Sequence, residues 1–358
     1  MNHADGQGLR ESLARTLATA GHGELWTRAV AQVPRHVFVP HFFEQDAGQW
    51  TEITAESPGY LEAVYANRAL TTQIKGDEPT SSSSEPGLML TMLDALEAKP
   101  GHRVLEVGTG TGYNAALMSH ALGDTNVTTV DVDPELTTDA ERRLGAAGYR
   151  PVVRTGDGAL GVQQRAPFDR IIATCGMQSI PPAWMRQAAD GAVMVAPVGW
   201  GLARVTVDGG EATGRFLPSG AFFMARRAGR ARPRFDELQD TQPSTTDLDG
   251  PEALARLEFP LALALPGYRT CTWNGAEGEV TAVGIWTPDG STATANVDGS
   301  VRQVGPRQLW DVVERLHEQF ETKPEREDFG LTITPERQWA WWRNEETGWD
   351  LPDMHFAE

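Results

Sequence analysis

The chain has 358 residues, 40% of them hydrophobic, and its 49 acidic and 31 basic side chains give a formal net charge of −18 at pH 7. This length and composition predict a packed core, either in one large domain or in a catalytic domain with a smaller second one. A strongly acidic chain repels phosphate groups, so general DNA or RNA binding and adsorption to anionic membranes are disfavoured.

The cysteines, the histidines and the N-terminal composition predict the cellular compartment of the protein and whether it binds a metal. Cys175 and Cys271 fit no zinc-binding spacing and cannot define a disulfide framework. The N-terminus has acidic residues and no continuous apolar segment, which argues against a signal peptide, and no apolar run approaches the length of a membrane span. The eight histidines are scattered without ligand spacing. We therefore expect a cytoplasmic protein with no metal site and no membrane segment.

The N-terminal part combines a helical pattern with irregular segments. Apolar residues recur at helical spacing across residues 9–33, which predicts two helices. Residues 33–43 contain two prolines and are predicted to form a turn or a short extended piece. Residues 50–79 are predicted to be loop-like, with an extended piece around "YLEAVYA".

A run of four serines follows, in "PTSSSSEPGLM" at residues 79–89. Ser81, Ser82, Ser83 and Ser84 lie between a charged turn and an apolar segment. Composition alone predicts a flexible hinge here. What lies after the run decides whether it is a hinge or part of a site.

Strands alternate with helices from Leu88 onward. The predicted strands are "HRVLEVG", "NVTTVDVD", "PVVRTGDG", "FDRIIATCG" and the end of "PPAWMRQAADGAVMVAPVG". The predicted helices between them include "GLMLTMLDALEA", "GYNAALMSHALG" and "PELTTDAERRLGAAG". This alternation is typical of an α/β fold with a doubly wound, mostly parallel sheet.

The alternation stops near Arg232, which suggests a first domain at residues 1–232. Residues 233–250 are polar, acidic and rich in proline, as in a linker. Residues 251–358 are predicted to form a smaller α+β domain, with a helix at "PRQLWDVVERLHEQF" and a hairpin at "FGLTITPERQWAWW". Its clustered tryptophans, Trp339, Trp341, Trp342 and Trp349, are expected to form a small core, with peptide anchoring as the alternative.

The glycine-rich turn in "VLEVGTGTGYN" is the motif that carries chemistry. Gly108, Gly110 and Gly112 stand between a strand and a helix, where the backbone must turn tightly and can approach a ligand without a Cβ in the way. Glu106 lies just before them, and this spacing differs from the dinucleotide pattern GxGxxG. A tight turn without a ligand is the alternative.

Two further acids follow later strands. Asp131 ends the next strand, where a carboxylate can accept from both ribose hydroxyls, and Asp157 in "GDG" can accept from an adenine amine. Each acid alone could be a solvated loop carboxylate, but three strand ends that converge on one sheet edge form a nucleoside crevice. The lack of a pyrophosphate cradle and of a Walker-type lysine favours S-adenosylmethionine over NAD.

These pieces resemble protein L-isoaspartate O-methyltransferases. "AVAQVPRHVFVP", the segment from "SEPGLML" through "GTGTGYNAALMSHALG", "VDVDPEL", "RTGDG", "APFDRIIATCG" and "IPPAWMRQAADGAVMVAPVG" follow the family order across residues 25–225. "VPRHVFVP" is specific to this family among methyltransferases. The resemblance implies a Rossmann-like class I methyltransferase domain at residues 1–232, S-adenosylmethionine as cofactor, and methyl transfer to a carboxylate of a peptide.

The resemblance also assigns roles to residues. Ser84 takes the position of the family's active-site serine. The positions that match cofactor contacts are Ser81, Ser82, Ser83, Glu106, Gly108, Thr109, Gly110, Thr111, Gly112, Asp131, Val132, Asp157, Gly158 and Thr174. A carboxylate is already a competent nucleophile towards a sulfonium methyl, so the site needs positioning and desolvation but no strong base.

Departures from the family pattern lead to a hypothesis about the substrate. The loop is all serine, Gly176–Ser179 differ from the usual run of small residues, and the region beyond Arg232 is extra. These features favour an enzyme of peptide maturation, which methylates an aspartate in a ribosomally made, cyclised precursor such as a lanthipeptide, lasso peptide or graspetide, and leaves an aspartimide or isoaspartate. The alternative is repair of isoaspartate in damaged proteins. A non-catalytic cofactor-binding scaffold and a small-molecule methyltransferase also stay open.

Overall fold

The structure is a computed structural model that describes residues 3–224 and 232–352, with side chains from residue 6 onward. The described residues form two compact units. The first contains the chain up to Cys175 with residues 181–196 and 204–213, and the second contains 176–180, 197–203 and the described residues from 214 onward. Because the units interleave along the chain, they do not set the ends of a separable domain, and the predicted boundaries at 232 and 251 stay a prediction.

Two N-terminal helices confirm the helical pattern of residues 9–33, and six more α-helices lie among the described residues of the first unit. They are α1 (His3–Thr19), α2 (Glu24–Gln32), α3 (Arg35–Phe38), α4 (Tyr60–Val64), α5 (Pro86–Leu96), α6 (Tyr113–Leu122), α7 (Pro134–Ala146) and α8 (Pro182–Gln187).

A four-stranded antiparallel sheet occupies much of the stretch that was predicted to be loop-like. Its strands are β1 (His41–Asp46), β2 (Gln49–Thr54), β3 (Leu70–Lys75) and β4 (Glu78–Ser83), in the order β2-β1-β3-β4. The loop prediction for residues 50–79 is therefore wrong. The extended piece predicted at "YLEAVYA" is wrong as well, because leucine, glutamate and alanine favour the helix α4 that forms there.

The main sheet of the first unit confirms the predicted doubly wound architecture. Its strands are β5 (Val104–Val107), β6 (Val127–Asp131), β7 (Val152–Thr155), β8 (Phe168–Ala173), β9 (Ala188–Val198), β10 (Gly201–Asp208) and β11 (Glu211–Gly220). The order is β11-β10-β9-β8-β5-β6-β7, and β9-β8-β5-β6-β7 are parallel. The strands β10 and β11 were not predicted from the sequence.

Local chemistry explains why these elements start and end where they do. All four residues of β5 are buried, as expected for a parallel strand covered on both faces. Helix α7 begins at Pro134, and the Asp133 carboxylate caps it by accepting from the backbone N–H of Glu135 at 3.0 Å. Short turns follow the carboxyl ends of β5, β6 and β8 and lead into helices or loops.

The described residues of the second unit form a five-stranded sheet, three α-helices and a C-terminal meander. These elements are β12 (Ser244–Thr245), α9 (Gly250–Arg256), α10 (Glu258–Ala264), β13 (Arg269–Asn274), β14 (Val280–Trp286), β15 (Thr292–Asn296), β16 (Ser300–Val304), α11 (Leu309–Gln319), β17 (Phe329–Ile333), β18 (Gln338–Trp342) and β19 (Asn344–Asp350). The five-stranded sheet has the order β12-β16-β15-β14-β13, and β17, β18 and β19 follow the second-unit part of β11.

Several predictions for this part are confirmed, and one segment differs. The hairpin at "FGLTITPERQWAWW" is β17–β18, extended by the third strand β19. The predicted helix is α11. The stretch predicted as a linker, residues 233–250, carries a 3₁₀ helix at Phe235–Asp240 and the strand β12, which pairs with β16. Despite its polar composition, this stretch therefore contains regular secondary structure.

The C-terminal tryptophans pack against other rings of the second unit. Trp342 lies edge-on to Phe320 with ring centroids 4.9 Å apart, and Trp349 stacks on Phe329 at 6.0 Å. Trp341 is buried and lies under the Arg215 guanidinium. These contacts favour the expectation that the tryptophans form a small hydrophobic core.

Candidate active site

The serine run forms the end of a strand and not a hinge. Ser81, Ser82 and Ser83 belong to β4, and the pairing with β3 places Ser82 opposite Thr71 and Ser83 opposite Leu70. Ser81 and Ser83 are buried, whereas Ser82 and Ser84 are partly exposed, the alternation that a strand produces. The hinge expected from composition is thus wrong, because pairing with a neighbouring strand fixes the backbone of the run.

Arg35 holds the end of this strand from within the core. Its side chain is fully buried. Its nitrogens donate to the Ser83 hydroxyl and to the backbone carbonyls of Val64, Ala66, Arg68, Ser83 and Ser84. The bond to the Ser84 carbonyl is 3.0 Å long. Arg35 was not among the site residues predicted from the sequence, although a cationic residue inside the apolar segment "VPRHVFVP" was a signal.

The glycine loop between β5 and α6 requires its glycines. Gly108, Gly110 and Gly112 have φ angles of 102°, 50° and 85°, all in the left-handed region. A Cβ on Gly108 would lie 2.6 Å from the Thr174 hydroxyl oxygen, and this hydroxyl donates to the Gly108 carbonyl at 2.7 Å. Thr174, predicted as a cofactor contact, therefore also fixes the first turn of the loop.

The glycine loop runs close to the serine strand. A Cβ on Gly110 would lie 3.6 Å from the carbonyl oxygen of Ser82 and 3.7 Å from the hydroxyl oxygen of Ser81. The two motifs are separated in sequence by α5 and β5. The fold thus joins the predicted cofactor loop and the predicted serine site in one place.

Glu106 lies beneath the loop with no exposed surface. Its two oxygens accept from the Asn114 amide at 2.8 Å and from the Thr129 hydroxyl at 2.6 Å. When Glu106 is ionised, Thr129 donates its single hydrogen to it, and Thr109 is then the donor in its 2.7 Å contact with Thr129. Burial raises the pKa of Glu106 to about 7, although both hydrogen bonds lower it. Its direct contact with a cofactor stays a prediction.

Asp131 ends β6 and is tied to the glycine loop. One carboxylate oxygen accepts from the backbone N–H of Gly110 at 3.0 Å, and the other accepts from the N–H of Asp133 at 3.1 Å. The neighbouring Val132 is 53% exposed, which is unusual for a valine beside a buried strand. A carboxylate followed by an exposed apolar side chain suits a ribose and the face of a base.

The third acid is placed near the end of β7. Asp157 accepts from the N–H of Ala159 at 3.0 Å and thereby caps a short 3₁₀ helix, Gly158–Leu160. A Cβ on Gly158 would lie 2.4 Å from a methyl carbon of Val107, so only glycine fits there. The Gly158 carbonyl accepts from the Trp184 indole at 2.8 Å.

The remaining predicted residues support the loop from inside. Thr109 and Thr111 are each 4% exposed. Their burial limits them to backbone contacts with a ligand or to support of the loop, and their role as cofactor contacts stays a prediction. The Asp131 carboxylate, the exposed Val132 and the three loop glycines without a Cβ atom fit a nucleoside with a sulfonium-bearing tail.

A separate cleft of about 690 Å³ lies between the small sheet and α7. Its lining comes from β1, β3 and α7 and includes Phe43, Ile74, Leu136 and Arg143. The glycine-loop residues do not line it. We therefore place the candidate site at the glycine loop, where the conformational constraints and the acids converge, and not in this cleft.

In the part of the chain that the structure describes, no helix is both long enough and apolar enough to cross a bilayer.

Comparison with known proteins gives a family for this site. The family model described as "Protein-L-isoaspartate(D-aspartate) O-methyltransferase (PCMT)" matches residues 10–208, more than half of the 358-residue chain. This match includes the serine strand, the glycine loop and all three predicted acids.

Individual relatives agree with the family model. The protein-L-isoaspartate O-methyltransferase of Dictyoglomus turgidum is 35% identical over 192 residues, which cover 53% of this chain and 76% of that protein. The protein of the same name from Ignicoccus hospitalis is 43% identical over 172 residues, covering 48% of this chain and 71% of that protein.

A solved structure extends the likeness to the second unit. A structure titled protein-L-isoaspartate O-methyltransferase aligns with a TM-score of 0.56 and 21% identity, covering 91% of this chain and 97% of its own. This likeness concerns the fold alone. Residues 1–232 are less than two thirds of the chain, so the alignment extends into the C-terminal region.

Proposed function

This chain belongs to the protein-L-isoaspartate O-methyltransferase family, and we propose on that premise that it methylates the free carboxylate of isoaspartyl residues in peptides and proteins. The chain is an S-adenosylmethionine-dependent methyltransferase with a class I fold. The observation that carries the proposal is the approach of Gly110 to Ser81 and Ser82, because it joins a cofactor loop to a hydroxyl-rich strand.

We assign the cofactor to the residues that follow β5, β6 and β7. The glycine loop leaves room for the amino acid part of the cofactor, Asp131 accepts from the ribose, and Val132 covers the base. Asp157 and Gly158 lie on the adenine side. When bound, S-adenosylmethionine supplies a methyl group made electrophilic by the sulfonium.

Ser84 is the residue that we assign to the substrate. Its hydroxyl donates to the carboxylate oxygen that does not react and holds the other oxygen in line for methylation. The substrate carboxylate is ionised at neutral pH, so no general base is needed. Since Arg35 fixes the Ser84 carbonyl at 3.0 Å, the serine has a defined backbone from which to act.

Esterification activates the substrate carboxyl group towards attack by a neighbouring amide nitrogen. A carboxylate resists attack because it is anionic and has a poor leaving group, whereas its methyl ester is neutral. The amide nitrogen of the following residue can attack the ester carbonyl, expel methanol and close a five-membered aspartimide. Hydrolysis of the ring then gives aspartate or isoaspartate, which is how repeated cycles repair damaged proteins.

Repair is favoured over peptide maturation as the biological setting. The hypothesis of maturation depended on the altered substrate loop and on a C-terminal region that was taken as extra to the family. A solved structure titled as an isoaspartate methyltransferase covers 91% of this chain at the level of the fold, so that region is no argument for a cyclised precursor peptide. The serine loop and Gly176–Ser179 are left as departures from the family pattern.

A pair of peptides tests the proposal. The full chain is incubated with S-adenosylmethionine and two peptides of one sequence, which contain either isoaspartate or aspartate, and methyl esters are counted by mass spectrometry. We expect methylation of the isoaspartyl peptide alone. Methylation of a cyclised precursor peptide, with none of the isoaspartyl peptide, would support maturation. Binding of S-adenosylhomocysteine without transfer to any peptide would support a non-catalytic scaffold.

A further inference from the structure

Arg35 carries a buried positive charge, and no carboxylate among the described residues is hydrogen-bonded to it. Buried charges in proteins are usually paired with an opposite charge. Within residues 3–224 and 232–352, the hydrogen bonds of the Arg35 guanidinium run to the Ser83 hydroxyl and to backbone carbonyls. Burial lowers the pKa of Arg35 to about 10, so the group remains charged at neutral pH.

The surroundings of Arg35 do not neutralise this charge. Glu85 is the acid that acts on the guanidinium, but it is partly exposed, and its carboxylate accepts from the Asn67 amide at 3.1 Å. The ring of Tyr113 lies 5.8 Å from the guanidinium carbon and is neutral, since burial raises the pKa of its hydroxyl. The formal charge of the guanidinium and the groups that are hydrogen-bonded to it is therefore positive.

The charge lies directly behind the proposed substrate residue. The guanidinium bonds the carbonyls of both Ser83 and Ser84, so it is one hydrogen bond away from the backbone that presents the Ser84 hydroxyl. A desolvated charge is screened far less than a surface charge. Any anion that binds at Ser84 lies within its field.

We propose that Arg35 is a positioning residue for Ser84 and that its uncompensated positive charge makes the site selective for an ionised carboxylate over a neutral carbonyl group. The inference rests on the proposed function, because it takes the isoaspartyl carboxylate as the ligand of Ser84. A purely structural role, in which Arg35 only connects α3 to β4, would give no such selectivity.

The direction of the kinetic effect follows from the charges. The carboxylate loses its negative charge as it accepts the methyl group, so the field of Arg35 stabilises the bound substrate more than the transition state. Removal of the charge is therefore expected to raise KM, whereas kcat is not lowered by this electrostatic effect.

The test compares two peptides that differ only in charge. An isoaspartyl peptide and its carboxamide counterpart are titrated by calorimetry into the full chain saturated with S-adenosylhomocysteine. We expect the wild type to prefer the carboxylate by about tenfold or more. Equal affinity for both peptides in the wild type overturns the inference, whatever the variants show.

Two substitutions then assign the preference to Arg35. Arg35→Gln keeps a polar donor but removes the charge, and we expect the carboxylate preference to fall about fivefold or more while the carboxamide affinity stays within about twofold. Arg35→Lys keeps the charge and is expected to retain the preference within about threefold, including the case in which Arg35→Gln does not fold. Affinity for S-adenosylhomocysteine reports the fold in each variant.

The outcomes separate this inference from the proposed function. If Arg35→Gln is folded and weakens both peptides equally, the role of Arg35 is structural and the inference is wrong. A folded Arg35→Lys that loses the carboxylate preference overturns it as well. A failure of the proposed function appears elsewhere, as the absence of methyl ester on the isoaspartyl peptide in the wild-type chain.

Discussion

The ammonium of Lys75 lies 2.8 Å from the carboxylate of Asp133, and this ion pair joins the serine hairpin to the start of α7. Lys75 ends β3, whose partner strand carries Ser81, Ser82 and Ser83. Asp133 is two residues after Asp131 and donates its own N–H to it. The pair therefore connects the proposed substrate side of the site to the proposed ribose side.

Loss of this ion pair is expected to have a modest cost. The Asp133 side chain is 2% exposed and that of Lys75 is 47% exposed, so solvent screens the pair on one side. Lys75→Met is expected to lower the free energy of unfolding by about 1 kcal/mol, and Lys75→Arg is expected to retain most of it. Chemical denaturation measures the difference, with the exposed Lys99→Met as control. If both Lys75 variants were as stable as the wild type, the Lys75–Asp133 ion pair would not contribute to stability.

Asp131 is expected to control cofactor affinity. Asp131→Asn keeps the shape of the side chain but removes the negative charge that accepts from Gly110 and from the proposed ribose hydroxyls. We expect S-adenosylhomocysteine to bind about tenfold more weakly or worse, since charge-assisted hydrogen bonds are about twice as strong as neutral ones. Calorimetry measures the affinity. The exposed Asp208→Asn serves as control, and similar affinities in the two variants would remove Asp131 from the cofactor site.

Ser84 is expected to affect catalysis and not cofactor binding. Ser84→Ala removes the proposed donor to the substrate carboxylate and should raise the barrier to methyl transfer by about 1–3 kcal/mol. Affinity for S-adenosylhomocysteine should stay within about twofold, because the strand and the Arg35 contact to the Ser84 carbonyl remain. Single-turnover rates measure the effect, with the exposed Ser12→Ala as control. An unchanged rate would leave the serine without a role in the chemistry.

Glu106 makes stability depend on pH. Its pKa rises from an ordinary 4.5 to about 7 on folding, so the folded chain binds this proton more tightly than the unfolded chain. The resulting contribution is fully present below pH 4.5 and is lost as the pH rises through 7. Relative to Glu106→Gln, the wild type is expected to lose about 3 kcal/mol of stability across this window.

Denaturation at several pH values in the presence of constant salt tests this dependence. The control is Glu141→Gln, which removes an exposed acid on α7 and should show no such window. A pH-independent difference between the wild type and Glu106→Gln would mean that Glu106 is ionised in the folded chain throughout the range.

Gln338 supports the loop after β8 within the second unit. Its amide oxygen accepts from the backbone N–H of Ile180 at 2.8 Å, and its amide nitrogen donates to the carbonyl of Ile180 at 2.6 Å. Gln338→Leu leaves both buried backbone groups unpaired and is expected to destabilise the chain by about 1–3 kcal/mol. Thermal unfolding measures the loss. Substitution of an exposed neighbour, Glu336→Ala, should leave the stability unchanged. An equal loss of stability in both variants would argue against the hydrogen bonds between Gln338 and Ile180.

The parts of the fold that were predicted correctly are those with strong local signals. The segment from β5 to α6 combines a short apolar run, glycines and a helical pattern within about 20 residues, so its structure depends little on distant contacts. The same holds for the predicted helices α1, α2 and α11. The glycine loop and Asp131 also appear together in the structure because parallel strands bring their carboxyl ends to one edge.

The parts that were not predicted depend on contacts distant in sequence. The strand β4 consists of glutamate, proline, serine and one threonine, of which only threonine favours strands, and it is held by pairing with β3. Arg35 lies 48 residues from Ser83 in sequence. No periodic pattern reports a contact of that kind, so the internal support of the serine strand appeared only in the structure.

The interleaving of the two units has a consequence for how the chain is made. Gly199 and Gly201 leave the ribosome well before the residues against which they pack, since their nearest neighbours are Ala262 and Phe259 of α10. The partner of Ile180 is synthesised later still, because its backbone N–H donates to the side chain of Gln338. During synthesis these early segments have no partner, so completion of the second unit is a late step of folding. For the same reason, its C-terminal part cannot be transplanted to another methyltransferase as one contiguous piece.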